Sequence, residues 1–488
     1  LVTGEPGVGK TSLAAALATR ALEDGALVLG GQSEAGLFSP YQPFVDMFRR
    51  MAASGVLPAS SGGELSHFLA IDMPPGRTRL PDESVDPTTE RLRLFSDAAR
   101  LLAGAAAGRP LVVILDDVHV ADHPTVLLAR YLVEQASPPG LLVVATADSR
   151  SLSPELEQDL LGIAAVAAVD GLAERSVVTG LAEEGVATQV SALAGVDVDA
   201  ASRSFARQVA DITDGNPLFV AQVVDDLLEA GAMRVTGERL AAPVDLTGYP
   251  SGPSGLRAVV ARRLAKVSPA ARRVLAAGAV LGSEFTMATL RATMSEPDSA
   301  LRTALDEGLS GGFVVEETVA DGVVCTFRHG VIREIMYESL PPLDRQRLHL
   351  RVAHALESLL SPGPMGQHAA TIAAHHRLAG GAGDPDKAVE WSVRAGERAA
   401  RVFAFEEAAA QVEAAAVTLG ELGGAANELR RARLLERLAS LRFFGGRESG
   451  AAVRCAEEAL ALYERHGETT RAAKVHSQLG TYFVTVGG

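Results

Sequence analysis

Cysteine is nearly missing from this chain. Cys325 and Cys455 are the only two among 488 residues, and no CxxC spacing exists. That argues against a disulfide framework or a thiolate metal site, and two reduced thiols in a cytoplasmic protein are expected. Aromatic residues are few, at 5%, while Ala, Leu and Arg abound within a hydrophobic share of 47%. Such a mixture favours helices, in places helices packed on helices. Positive charge is also short: 45 Lys and Arg stand against 60 Asp and Glu, a formal net charge of −15. A bulk electrostatic grip on DNA or on anionic lipid is therefore not expected of these residues, which leaves open a DNA-binding domain elsewhere. Long apolar runs are lacking. The best candidate, Leu160 to Val169, has about half the length a bilayer requires. Neither a signal peptide nor an initiator Met is visible. The chain opens on LVTG, the end of a strand, so a fragment lacking both ends is expected.

What is present falls into sections. Up to residue 172, strands alternate with helices. LVVILDD (111–117) and LLVVATA (141–147) are continuous apolar runs of the kind parallel strands buried on both faces require. ALVLGG (26–31) reads as a further strand, with a last short one around Ala165 to Val169. A Pro/Gly/Ser-rich excursion is expected from about Ser54 to Thr89. Residues 173–241 carry a helical pattern, and 242–255 a Pro/Gly-rich linker. In 256–360, helices flank two β-rich runs around a turn at Asp321-Gly322, the sequence shape of a winged helix. SPGPMGQ (361–367) separates these from residues 368–488, whose small-residue and aromatic spacing is that of tetratricopeptide-like hairpins, incomplete at the end. The fold class expected is an α/β core with a parallel sheet, then a helical section, a winged-helix-like domain and all-α repeats.

GEPGVGKT, residues 4–11, fits G-x-x-x-x-G-K-[ST] in full. Its glycines permit positive φ and close backbone approach, so amide N–H groups can face phosphate oxygens. Lys10 would reach the β- and γ-phosphates, Thr11 would ligate Mg²⁺, and the following helix adds its positive N-terminal end. A glycine-rich turn with no ligand is the alternative, disfavoured by the strand before and the helix after. The candidate nucleotide-contacting residues are Gly4, Glu5, Pro6, Gly7, Val8, Gly9, Lys10, Thr11 and Ser12. LVVILDD ends on Asp116, placed to hold Mg²⁺, and Asp117, placed to orient or deprotonate an attacking water. An acid pair that merely caps the next loop is the alternative; together the two motifs point to an α/β P-loop NTPase core, with the helical section that follows as its lid.

The stretch DDVHVAD (116–122) resembles the DDLHWAD signature of STAND-type signalling ATPases. PYQPF (40–44) and ERLRLF (90–95) match segments between their two nucleotide motifs, and DGNPLFV (214–220) resembles their lid motif. ARRLAKVSPAARRVLAAGAVLG (261–282) and FRHGVIREIMYESLPPLDRQRLHLRVAHALE (327–357) resemble their winged-helix region. The resemblance covers nearly the whole chain. It is to the ATPase module of large LuxR-type transcriptional regulators and equally to the one attached to some class III adenylyl cyclases. It implies an ATP/ADP switch with Mg²⁺ and slow turnover, with Pro217 beside the adenine and His329 on the β-phosphate of ADP. An inducer, small molecule or protein, would bind the repeats, and the ATP state would self-associate. DNA would be met only through a domain outside these residues, and no membrane is involved. Two departures stand out: Val120 replaces the Trp of the signature, and Asp148 occupies the place of the Arg that would read the γ-phosphate. A carboxylate facing a triphosphate would be repulsive; Arg150, two residues on, is the available substitute.

Other signals carry less. Asp122 before His123-Pro124 reads as a helix cap. His375-His376, adjacent on a helix and so about 100° apart, reads as part of a solvated face rather than a metal pair. The ARR triplets at 261–263 and 271–273 read likewise as solvated. Three functions remain open: a transcriptional switch, the regulatory half of a cyclase, and a scaffold whose degenerate ATPase only helps it fold.

Overall fold

The computed structural model describes residues 1–33, 40–56, 87–135, 140–151, 156, 159–160, 174–195, 197, 199–233, 235–236, 239–240, 246, 249–319, 322–359, 368–445 and 449–486. The expected excursion after Val56, the strand at 165–169, residues 242–245, 247 and 248 of the linker and the 361–367 separator lie outside the described residues, while 252–255 of the expected linker are already helical. The chain divides into two compact units, one of residues 1–19, 145–152 and 173–345, the other of 20–144, 153–172 and 346–488.

In the first unit, β1 (Val2–Gly4) runs parallel to the end of β4 (Leu141–Asp148) on one side and to β5 (Ser176–Val178) on the other, with Thr3 opposite Ala147 and Val177. In the second, β2 (Leu27–Gln32) runs parallel to β3 (Leu111–Asp116), from Leu27 opposite Leu111 to Gln32 opposite Asp116. β4 begins in the second unit and ends in the first, and the strand order is β2-β3-β4-β1-β5. This is the parallel sheet of a P-loop ATPase core. Leu111, Val112, Val113 and Leu115 are all buried, as a strand covered on both faces demands. β5 is not legible in the sequence, because it sits at the start of a stretch whose pattern is helical.

The first unit continues with α1 (Lys10–Glu23), which starts in it, and with α5 (Glu183–Ala194), α6 (Ala200–Thr213) and α7 (Pro217–Glu229). Then follow a short hairpin of β6 (Val235–Thr236) and β7 (Arg239–Leu240), and α8 (Gly252–Lys266) and α9 (Pro269–Leu281). β8 (Glu284–Thr286), α10 (Met287–Thr293), α11 (Asp298–Ser310), β9 (Val314–Val319), β10 (Gly322–Phe327) and α12 (Gly330–Glu338) complete it. Where the sequence suggests two strands, the antiparallel sheet has three, in the order β8-β10-β9. The three-residue β8 is too short for its alternation to be read. Arg263 is not on a solvated face. It is buried, donating to Glu229 Oε1 at 2.6 Å, Gln222 Oε1 at 2.6 Å and the Gly311 carbonyl at 2.9 Å. A guanidinium so engaged has no donors to spare for nucleic acid.

The second unit holds α2 (Gln42–Ala53), α3 (Pro87–Ala106) and α4 (His123–Glu134). It also holds the run α13 (Pro342–Leu359, from Gln346 on), α14 (Ala369–Leu378), α15 (Pro385–Arg401), α16 (Phe405–Leu422), α17 (Ala425–Gly445), α18 (Ser449–Arg465) and α19 (Thr469–Val486). From α14 onward each helix packs on the next. Small residues make the close packing possible: Ala395, Ala399, Ala408 and Ala415 are buried. His375 and His376 belong to this core and not to a solvated face. His375 Nδ1 lies 2.8 Å from His349 Nδ1, and His376 Nε2 lies 3.1 Å from Glu357 Oε1, which also accepts from Trp391 Nε1 at 2.5 Å. None of the described helices is long and apolar enough to cross a membrane.

Candidate nucleotide site

The loop from Gly4 to Lys10 leaves β1 and enters α1, and its backbone shape is dictated by its glycines. Gly7 and Gly9 have φ of 77° and 103°. Any side chain at either would be strained. At Gly7 it would also collide, because a Cβ there would lie 2.7 Å from Leu218 Cβ. Successive N–H groups between residues of opposite φ form a concavity suited to an anion. Lys10 is buried, and its ammonium donates to the carbonyls of Gly4 (3.0 Å) and Glu5 (2.9 Å). The loop thus holds its own cation at the start of a helix, where an oligophosphate fits by charge and by donor count.

α7 closes on this loop within the first unit. Asn216 is its N-cap: Oδ1 accepts from Leu218 N–H (3.1 Å) and Phe219 N–H (3.2 Å). Nδ2 of Asn216 donates to the Pro6 carbonyl at 2.9 Å, and Leu218 N–H also faces the Gly7 carbonyl at 3.2 Å. Pro217 occupies the first turn of α7, where a missing N–H costs nothing, and its carbonyl accepts from Gln189 Nε2 at 2.8 Å. Asn216 was not singled out in the sequence. Its only signal is an Asn directly before a Pro at a helix start.

Asp148 ends β4 and is buried. Its side chain is engaged locally: Oδ1 accepts from Arg150 N–H at 3.0 Å and Oδ2 from Ser151 Oγ at 2.6 Å. The carboxylate caps its own turn. That turn directs Arg150 to Glu5 of the loop, with which it forms an ion pair. Arg150, the substitute offered two residues after the sensor position, thus stands against the loop through Glu5.

His329 lies in the same unit as the N-cap of α12, half-buried, with its carbonyl accepting from Ile332 N–H at 2.9 Å. Burial, and secondarily the adjacent Arg328, hold the imidazole below its ordinary pKa. Its ring makes no hydrogen bond among the described residues.

The two acids are in the second unit. Asp116 ends β3, buried, and its carbonyl accepts from Ser33 N–H at 3.0 Å. Asp117 has a positive φ of 56° and caps the 3₁₀ turn Val118–Val120. That conformation is uncommon for a residue with a side chain, and Asp is among those that tolerate it. Gln32 Nε2 donates to Asp117 Oδ2 at 3.2 Å, and His119 Nδ1 lies 3.8 Å from Asp117 Oδ1. Gln32 is a second residue that sequence reasoning passed over. The β2–β3 register puts it opposite Asp116, which pattern alone does not supply. Asp122 is the cap it was expected to be: Oδ1 accepts from Thr125 N–H (2.9 Å) and Tyr41 N–H (3.3 Å), Oδ2 from Thr125 Oγ1 (2.6 Å). Burial holds its carboxyl above the usual range.

With this geometry in place, comparison with known proteins adds the following. A protein of Rhizobium meliloti (strain 1021), itself uncharacterized, is 28% identical over 279 residues, which are 55% of this chain and 24% of the relative. The match thus spans about a quarter of that relative's length. A signal transduction ATPase with numerous domains and a tetratricopeptide repeat sensor, from Pyrococcus horikoshii, is similar over 100% of this chain and 72% of its own, at 12% identity and a TM-score of 0.43. A Walker-type ATPase of Pyrococcus abyssi is similar over 69% of this chain and 89% of its own, at 15% identity and a TM-score of 0.29. Such low scores carry no functional argument. The match that bears on the site is to the family model of the AAA ATPase domain, and it covers residues 1–144, from the glycine loop through β3 and the two acids to β4.

Proposed function

We propose that this chain is a nucleotide-driven switch, an ATP/ADP-binding module with slow turnover that serves signal transduction. The observation that carries the reading is the clasp of the helical segment on the glycine loop, Asn216 on Pro6 and Leu218 on Gly7. A loop built for phosphate and a lid fixed to its backbone form an element whose closure would depend on what the loop holds. In this reading Gly4 to Ser12 contact the phosphates, Lys10 neutralises them, and Thr11 and Asp116 hold Mg²⁺. The ion would supply charge neutralisation at the phosphates. Asp117, steadied by Gln32, orients the attacking water. Pro217 lies beside the base, and His329, neutral at pH 7, accepts or donates a hydrogen bond at the ADP phosphate. Residues 173–241 act as lid, 256–360 as a winged-helix-like clamp, and 368–488 as the repeat sensor. The output we propose on the resemblance is transcription, through a DNA-binding domain other than the ones described, with self-association in the ATP state.

Lys10→Ala tests the site. It is expected to weaken ATP and ADP binding by about 100-fold, as loss of a charge-assisted contact implies, measured by equilibrium titration with a fluorescent analogue. Equal affinity in parent and variant removes the assignment.

A further inference from the structure

Glu5 engages two cations at once. Lys10 Nζ donates to its carbonyl at 2.9 Å, and Arg150 forms an ion pair with its carboxylate. Strand register brings the second partner there. Gly4, the last residue of β1, lies opposite Asp148, the last of β4, and Ser149 N–H donates to the Gly4 carbonyl at 3.3 Å. The chain therefore leaves two parallel strands side by side, and Glu5 and Arg150, one and two residues on, come together. Both backbones are held. Asp148 Oδ1 accepts from Arg150 N–H, and the Glu5 carbonyl accepts from Val8 N–H at 3.3 Å. What can still turn are the two side chains, each about half exposed. All these residues belong to the first unit.

The pairing sets up a competition. With Lys10 on the carbonyl of Glu5 and Arg150 on its carboxylate, the guanidinium stands at the residue that also anchors the loop's phosphate-seeking ammonium. A terminal phosphate offers more charge and one more oxygen than a carboxylate, and a guanidinium fork fits either. An exposed carboxylate–guanidinium pair is worth a factor of about five at most, so a triphosphate can take Arg150 and leave Glu5 to water. A diphosphate ends one group short and makes no such offer. We propose that Glu5 sets nucleotide choice by competing with the γ-phosphate for Arg150, which stays on Glu5 beside a diphosphate and passes to the terminal phosphate of a triphosphate. Glu5 is then a specificity-determining residue that acts against the triphosphate. This deepens the nucleotide site proposed above and rests on it.

The test is a double-mutant cycle on the whole chain. Calorimetry with Mg²⁺ gives the affinities for ADP and for the β,γ-imido analogue of ATP in the parent, Glu5→Gln, Arg150→Ala and the double variant. Glu5→Gln is expected to raise the preference for the triphosphate about three- to fivefold, the worth of the pair it removes. In the Arg150→Ala background the same change is expected to leave the preference where it was. Both positions are about half exposed, and melting curves close to parent are expected. Equal gains for both nucleotides, of one size in either background, would mean that Glu5 only repels phosphate, and would overturn the proposal. A fall in the preference would mean that Glu5 holds Arg150 ready for the phosphate, and would overturn it as well. A parent that binds neither nucleotide removes the site and this proposal together. A parent that binds them with a preference indifferent to Glu5→Gln removes the competition alone.

Discussion

The side-chain amide of Asn216 donates to the carbonyl oxygen of Pro6 across 2.9 Å, while its own carbonyl oxygen caps α7. One side chain thus does two separable things. Asn216→Asp keeps the acceptor that caps the helix and loses the donor to Pro6. Thermal stability should remain close to parent, and ADP should leave about five- to tenfold faster, as the loss of one hydrogen bond implies. Asn216→Ala loses both and should in addition lower stability by about 1 kcal/mol. Stopped-flow release of a labelled nucleotide, beside a melting curve, checks the pair.

Asp117 is held by Gln32 and caps a turn from a left-handed backbone conformation. Asp117→Asn preserves size and the tolerance of positive φ but removes the base. Steady-state turnover is expected to fall by about 100-fold or more, with ATP affinity within about threefold of parent. Unchanged turnover would take Asp117 out of the reaction.

Arg150 leans on Glu5 through an ion pair in which both partners are about half exposed. Such pairs contribute little to folding. Arg150→Ala should therefore lower the free energy of unfolding by less than about 1 kcal/mol. Its effect should be on nucleotide choice instead, bringing the affinities for ATP and ADP closer together. Asp148→Ala should do the reverse. It should cost about 1–3 kcal/mol of stability, because it removes a buried cap from two donors.

Glu407 on α16 is pushed up to about 7, foremost by burial, with Asp122 adding to the rise and Gln411 and Arg377 opposing it. In the unfolded chain the carboxyl returns to about 4.3. Between these values the folded state holds the proton and the unfolded state does not. Stability from this residue is therefore complete below about pH 4.3, falls as pH rises to about 7, and is flat above. Glu407→Gln should flatten the fall of stability with pH across that window and add about 1–3 kcal/mol at pH 8 relative to parent. Urea midpoints at pH 5, 6, 7 and 8 measure it.

The residues legible in the sequence were those whose chemistry is local. Gly7 and Gly9 are written into the loop by the backbone angles it needs, and the apolar run ahead of Asp116 could only be a strand covered on both faces. Asn216 and Gln32 were passed over for the opposite reason. Their partners lie 210 and 85 residues away, and neighbouring sequence says nothing about such distances. The partners of Asp148 were not legible because a position in a motif fixes where a Cα lies, not which of its own neighbours a carboxylate will bond. His375 and His376 were misjudged because helical period gives the angle between two side chains, not which helix covers each.

Only one hydrogen fits on the 2.8 Å line between His349 Nδ1 and His375 Nδ1. One ring must present its lone pair to the other, and the ring that accepts must carry its hydrogen on Nε2, so the state of one imidazole dictates that of its neighbour. Whichever ring donates, a change to either one alters what the other can offer its remaining neighbours in the repeats.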